Sequence, residues 1–332
     1  MDAQYDVVVV GGAAAGLTAS LYTARQGLKT LVVTKDIGGQ ALLTNEIQNY
    51  PGFAEISGFE LMNKFREQAE RYGVEFLYDE VVGVKMAEEG CFSVKTRSGD
   101  VGTCAVILAF GKTPRDLGVE GEEKFKGKGV SYCAVCDGPL FKGKSVAVVG
   151  SGEPALEAAN YLSGVCAKVY VAQRTAKPIG RDDLVSTLKS TPNIEFLNSV
   201  EVKRINGDTK VRSITLVDAS SPKDGREEKV LPVDGVFVEM GYVTRTKFLE
   251  GLVELNGLGE VVTDKDGSTS TPGVFAAGDV TDIPYKQAII SAGQGASAGL
   301  SAYNYVQKLR GRPVSKADWR SLKPTPTQKP EG

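Results

Sequence analysis

The chain has 332 residues, 42% of them hydrophobic and 24% charged, a globular balance with room for two domains and a large core. A net charge of −2 gives no electrostatic case for nucleic acid or an anionic membrane, and no apolar run reaches the length of a membrane span. Five cysteines, an odd number, and an N-terminus that enters a strand without a signal-peptide pattern point to a reducing compartment, the cytoplasm.

Tyr5-Asp6-Val7-Val8-Val9-Val10 is a continuous apolar run of strand length, the pattern of a parallel strand buried on both faces. Gly11-Gly12-Ala13-Ala14-Ala15-Gly16 follows, then an apolar helix through Leu17, Leu21 and Ala24 to Gly27, and a second buried strand from Thr30 to Thr34. This βαβ unit has a glycine loop opening a helix, which seats a pyrophosphate on free backbone N–H groups and the helix dipole. Ala13 replaces the middle glycine of G-x-G-x-x-G, putting a methyl group where the backbone approaches the phosphates.

Gly38-Gly39-Gln40 and Asn49-Tyr50-Pro51-Gly52 are polar turns, readable as plain surface or as ligand contacts. Ser57 to Glu60 has the spacing of a capping box, with a helix behind it that carries Leu61, Phe65, Ala69 and Tyr72 on one face. Val81 to Met86, Cys91 to Thr96 and Val101 to Leu108 read as a small antiparallel meander, with Cys91 and Cys104 as isolated, core-facing residues. The pattern breaks at Gly111-Lys112-Thr113-Pro114.

Tyr132-Cys133-Ala134-Val135-Cys136-Asp137-Gly138 comes next. Two thiols two residues apart close and reopen as a disulfide, a two-electron store, and such a pair commonly holds one sulfur of lowered pKa. Asp137 offers a carboxyl group able to hand a proton to a departing thiol. The competing reading is a zinc knuckle, which needs four Cys or His ligands. With no histidine, and with Cys91, Cys104 and Cys166 isolated, redox chemistry is the better reading and no metal is expected.

Ser145 to Val149 is another apolar strand, ending in Gly150-Ser151-Gly152-Glu153-Pro154-Ala155 and a helix with Leu156, Ala159 and Leu162. Pro154 suits a first helical turn, whose N–H groups lack helical partners. Lys168 to Ala172 completes a second βαβ unit, so two nucleotide sites are expected. At its tip NAD favours an acidic residue and NADP favours arginines. The tip reads Gln173-Arg174-Thr175-Ala176-Lys177-Pro178-Ile179-Gly180-Arg181, with no carboxylate and with Arg174 nearest, an ambiguous reading that leans to NADP.

A second sheet region runs from Glu201 to Glu239, with a hydrophilic hairpin at Ser220 to Gly225 and a second break at Gly241. Thr271 to Val280 holds a short buried strand ending on Gly278-Asp279, before a helix rich in small residues from about Gln287 to Leu309. Such an aspartate can bind a polyol hydroxyl while the helix N-terminus faces a phosphate or a flavin ring. The Pro- and Lys-bearing tail, from about 318 and including Trp319, is expected to be disordered.

With these pieces in place the chain resembles the low-molecular-weight thioredoxin reductases of bacteria and archaea, from about Tyr5 to Gln307. The resemblance rests on Cys133-Ala134-Val135-Cys136-Asp137, on Gly278-Asp279 with Lys286-Gln287-Ala288, and on the two polar turns at Gly38 and Asn49. It implies an α/β fold of two Rossmann-like (three-layer ββα) nucleotide-binding domains, the second inserted into the first. The FAD-binding domain would comprise residues 1–112 and 245–332, and the NAD(P)H-binding-like domain 113–244. Implied FAD contacts are Gly11 to Gly16, Gly39, Gln40, Asn49, Ala109, Gly111, Gly278, Asp279, Lys286, Gln287 and Ala288.

The nicotinamide nucleotide would meet Gly150, Gly152, Glu153, Pro154, Ala155, Arg174, Lys177 and Arg181. By the same resemblance Cys136 faces the flavin, Cys133 attacks the disulfide of thioredoxin, Asp137 protonates the thiol pair, and the protein is a homodimer. The family's His-Arg-Arg tip, with a further arginine four residues after the first, is here Gln173, Arg174, Thr175 and Ile179. One arginine remains, which leaves NADPH, NADH or a ferredoxin-like donor open, as well as another disulfide acceptor. The third alternative is a non-enzymatic flavin- or metal-binding redox module.

Overall fold

Val7 to Val10 are sealed from solvent, as a strand covered on both faces of a sheet must be. In the computed structural model, which describes residues 3–43, 46–87, 90–221 and 227–314, they form the centre of β1 (Tyr5–Gly12). The chain continues through α1 (Ala14–Arg25), β2 (Thr30–Ile37), α2 (Gly58–Glu70), β3 (Glu75–Tyr78), β4 (Val81–Met86), β5 (Phe92–Thr96) and β6 (Asp100–Leu108). These strands lie in the order β3-β2-β1-β6-β5-β4, parallel from β3 to β6 and antiparallel from β6 to β4.

The meander expected from Val81 to Leu108 is therefore no separate sheet. Its last strand, β6, is long enough to pair with β5 over Asp100–Thr103 and with β1 over Thr103–Leu108. The capping box forms by half. Ser57 Oγ accepts the Glu60 N–H at 3.1 Å, but the Glu60 carboxylate pairs with Lys64 at 3.3 Å, an i,i+4 contact on the exposed face.

Packing divides the chain into two units, one of Met1–Lys112 with Thr244–Gly332, the other of Thr113–Val243. The second opens with β7 (Thr113–Pro114), α3 (Glu122–Phe125), β8 (Val130–Ser131), α4 (Ala134–Asp137), β9 (Ser145–Val149), α5 (Glu153–Ser163), β10 (Lys168–Ala172), α6 (Asp182–Ser190) and β11 (Ile194–Leu197). It closes with β12 (Val200–Gly207), β13 (Val211–Asp218), β14 (Glu228–Pro232), β15 (Gly235–Val238) and β16 (Tyr242–Val243). A five-stranded parallel sheet of order β11-β10-β9-β15-β8 carries the βαβ unit, and β12-β13-β14 forms an antiparallel sheet. β7 and β16, the two ends of this unit, pair antiparallel. Part of the hairpin expected at Ser220 to Gly225 and all of the tail from 318 lie outside the described residues.

The first unit resumes with β17 (Val274–Ala276), parallel to the end of β6, and α7 (Ala288–Leu309). The small residues of α7 have a packing cause. A Cβ on Gly295 would lie 2.1 Å from the Ala15 carbonyl oxygen, and one on Gly299 2.8 Å from that of Ala19. Backbone therefore meets backbone where α7 crosses α1, directly behind the Gly11–Gly16 loop.

Candidate active site and nucleotide loops

The segment after β8 is tied down before it reaches the cysteines. Tyr132 donates its hydroxyl to Glu122 Oε1 at 2.6 Å and to Asp116 Oδ1 at 3.1 Å. Glu122 is buried and also accepts the N–H groups of Leu117 and Gly118, at 2.7 and 2.6 Å. Burial first, then Glu122 and Asp116, hold the phenol well above its usual range, so it remains a donor.

Cys133 and Cys136 are joined as a disulfide at the start of α4. The Cys133 N–H donates to Ser131 Oγ at 3.1 Å, and that hydroxyl donates back to the Cys133 carbonyl at 3.2 Å. Cys133 Sγ in turn accepts the Cys136 N–H at 3.0 Å. Such a donor favours a sulfur that carries negative charge. Ala134 is buried in the core, and at Gly138 a Cβ would lie 2.9 Å from the Tyr161 ring, so the turn rests directly on α5. Cys136 is exposed, while Cys133 and Asp137 are partly buried, and the Asp137 N–H donates to the Cys133 carbonyl at 3.2 Å.

In the first unit the loops singled out from sequence converge. A Cβ on Gly11 would fall 2.4 Å from the Ala109 carbonyl oxygen, and one on Gly16 1.9 Å from that of Gly11. These two glycines are obligatory because backbone passes there at contact distance. Ala13 is tolerated for the opposite reason: it caps α1 in an extended conformation, φ −113°, that any residue adopts. Gly39 and Gly278 border Ala13 and Ala15, at 3.4 and 2.8 Å from the place a Cβ would take. Asn49 Nδ2 donates to Gln287 Oε1 at 3.1 Å, and Gln40 Nε2 to the Lys112 carbonyl at 3.1 Å, next to Gly111. Ser291 donates to Asp279 Oδ1 at 3.1 Å. Neither α1 nor α7, which begins at Ala288, has a side-chain cap, whereas α2 has Ser57. Their first-turn N–H groups are left to an outside acceptor.

One residue here escaped the sequence reading. Glu260, 5% exposed, accepts Lys112 Nζ at 2.8 Å, Lys286 Nζ at 3.1 Å and Asn256 Nδ2 at 2.8 Å. Burial works to raise its carboxyl, but hydrogen bonds from Lys112, Asn256 and Lys286 prevail and lower it to about 2. Lys286 spans from this carboxylate to the carbonyls of Thr281 at 2.6 Å and Asp279 at 3.4 Å. No local pattern links residues 112, 260 and 286; only the fold does.

In the second unit Gly150 is packed so closely that a Cβ would lie 2.3 Å from the Glu239 carbonyl oxygen. Gly152 caps α5 without a side-chain bond, Glu153 and Pro154 form its first turn, and Ala155 is buried. Burial, then the nearby Glu157, push the Glu239 carboxyl up to about 7. At the strand tip two of the three basic side chains have a carboxylate beside them. Arg181 Nε lies 2.8 Å from Glu153 Oε1, and Arg174 lies 3.9 Å from Glu201, leaving Lys177 exposed. Gln173 is buried, donates to Asn198 Oδ1 at 2.7 Å, and keeps an Oε1 with no hydrogen-bond partner.

Residues 5–299 match the family described as pyridine nucleotide-disulphide oxidoreductase. The chain belongs to this family. It is 41% identical over 303 residues to an NADH dehydrogenase of Bacillus subtilis, covering 91% of this chain but only 58% of that protein. It is 38% identical to a thioredoxin reductase of Listeria innocua, over 92% of this chain and 95% of the relative. The crystal structure of Lactococcus lactis thioredoxin reductase superposes with a TM-score of 0.79 at 34% identity, over 92% of this chain and 100% of that one. The chain thus spans under two thirds of some relatives and nearly all of others. Among the described residues no helix is long and apolar enough to cross a membrane.

Proposed function

We propose that this chain is a thioredoxin-disulfide reductase that holds FAD in its first unit and turns over the Cys133–Cys136 disulfide in its second. The observation that carries the reading is the disulfide itself, with Cys136 exposed and Cys133 Sγ accepting an amide N–H. The FAD loops fit their group: α1 and α7 start without side-chain caps, and Gly11 and Gly16 keep the loop backbone bare. The pyrophosphate would sit at Gly11 to Gly16, a ribityl or ribose hydroxyl on Asp279, and the flavin edge near Gly39, Gln40, Asn49 and Lys286 to Ala288. Bound there and reduced, FAD would supply the electron pair for opening the disulfide.

The rest is done by this chain's own groups. Opening the pair by two electrons yields two sulfurs, and Asp137 is the acid that protonates the thiol pair. Cys133, supported as a thiolate by the Cys136 N–H, attacks the disulfide of a thioredoxin-like partner and forms a mixed disulfide, releasing one partner thiol. Cys136 then attacks Cys133 and releases the second partner thiol, restoring the intramolecular bond. The odd cysteine count favours a reaction run in the cytoplasm, and the family likeness favours a homodimer.

A nicotinamide nucleotide would bind at Gly150 to Ala155, where α5 starts without a side-chain cap. Arg174 and Arg181 stay 66% and 62% exposed beside Glu201 and Glu153, so both remain available to a 2′-phosphate, and the donor is NADPH in the first place, with NADH or a ferredoxin-like donor as the alternative. Anaerobic titration of the flavin-loaded protein with NADPH, then NADH, separates these cases by the bleaching of flavin absorption. Cys136→Ser should retain flavin, lose thioredoxin turnover and trap the partner on Cys133. Full turnover in that variant would overturn the relay, and trapping only in Cys133→Ser would exchange the two roles.

A further inference from the structure

Cys91 and Cys104 read as isolated in the sequence, yet the fold places them face to face. In the β5–β6 ladder Phe92 pairs with Thr103, so the next step of the same antiparallel register sets Cys91 opposite Cys104. Their Sγ atoms are 3.8 Å apart, with the Cys91 thiol donating to Cys104. Both are partly buried thiols. Tyr305 of α7 donates to the carbonyl of Gly90, beside Cys91, at 3.2 Å, and Asp6 and Arg310 are the charged groups nearest Cys104.

We propose that Cys91 and Cys104 are a second redox site, a cross-strand dithiol that peroxide-class oxidants close to a disulfide. Directly opposed cross-strand residues hold their Cβ atoms about 4.5–5.5 Å apart, meeting the upper end of the roughly 3.5–4.5 Å a disulfide takes. Closing about 1.8 Å between sulfurs now 3.8 Å apart therefore takes side-chain rotation and a small approach of the strands rather than a change of register. One sulfur, as thiolate, attacks a peroxide oxygen; the O–O bond breaks and the departing hydroxide takes a proton to become water, leaving a sulfenic acid. The second sulfur attacks the first, the S–O bond breaks, and a second water leaves. The two thiols give up two electrons and two protons, and one hydrogen peroxide becomes two waters.

Burial first, then the neighbouring Cys91, push the Cys104 thiol up to about 11. The bond would clamp the start of β5 to β6, at the place where Tyr305 and Leu309 of α7 border Gly90.

The test is a thiol count on the full chain, reduced, freed of reductant, treated with hydrogen peroxide, then denatured and alkylated. Of the five cysteines, all should alkylate after reduction and only Cys166 after oxidation. Tryptic cleavage at Lys95 and Arg97 separates Cys91 from Cys104, so a linked peptide pair lighter by two hydrogens identifies the bond. A Cys133→Ser/Cys136→Ser variant should fall from three alkylated cysteines to one, independent of catalytic competence. Cys91 and Cys104 both remaining alkylatable, or linking to other molecules or to Cys166, would overturn the assignment.

Discussion

Replacing Glu260 by glutamine should destabilise the protein by about 3 kcal/mol at neutral pH, and the loss should shrink in acid. A carboxyl lowered from 4.5 to about 2 contributes about 3 kcal/mol once both folded and unfolded forms are ionised. Because the folded value is depressed, that contribution is complete above about pH 5 and is lost as pH falls toward 2; about 1 kcal/mol should be gone by pH 4. The geometry supports a cost of this size. The side chains of Lys112 and Lys286 are only 19% and 24% exposed, so glutamine leaves two ammonium groups close together with poor hydration and no anion. Urea unfolding of both proteins, followed by circular dichroism at several pH values, reads the difference. A loss below about 1 kcal/mol at pH 7, or a difference that does not narrow in acid, would refute the account.

Glu239 should behave with the opposite sign. Its carboxyl is raised to about 7, so the folded state keeps a proton that the unfolded state has released, and stability falls as pH climbs from about 4.5 through 7. Glu239→Gln should match the parent near pH 4.5 and exceed it by roughly 1–2 kcal/mol at pH 8, discounted for partial exposure; thermal melts across that range check it. Gly295→Ala should cost about 2 kcal/mol, although alanine favours helix by up to about 1 kcal/mol, because its methyl group meets the Ala15 carbonyl. The same variant should bind FAD more weakly than Gly293→Ala, whose added methyl meets nothing, as measured by flavin fluorescence on dilution.

Much of this architecture is local and so was legible. Val7 to Val10 and Val146 to Val149 are fully apolar runs, and each turns out to be a central strand with a glycine loop at its end. The cysteine pair needed only its spacing, and Gly11 and Gly16 only the motif. What stayed hidden depends on pairings between distant residues. Cys91 and Cys104 sit thirteen residues apart, in segments readable as separate strands, and only the pairing of Phe92 with Thr103 makes them neighbours. The meander could not be seen to share β6 with the parallel sheet, because a long apolar strand looks the same with one set of partners or two.

Charge is where sequence reading misleads most, since a residue's charge is local but its field is not. Arg174, Lys177 and Arg181 make an ambiguous strand tip in the sequence, and the fold adds what the sequence hides, Glu201 and Glu153 beside two of the three. Lys286 stands in the sequence as an implied FAD contact and Lys112 only in the break at Gly111, yet the fold joins them on one buried carboxylate. The two units thereby acquire different electrostatics around similar glycine loops. The first concentrates uncapped helix N-termini and two anchored ammonium groups about a single carboxylate, a setting that attracts an anion and holds it. The second sets two exposed arginines, each beside a carboxylate, and a Glu239 whose carboxyl burial pushes up to about 7 next to its loop.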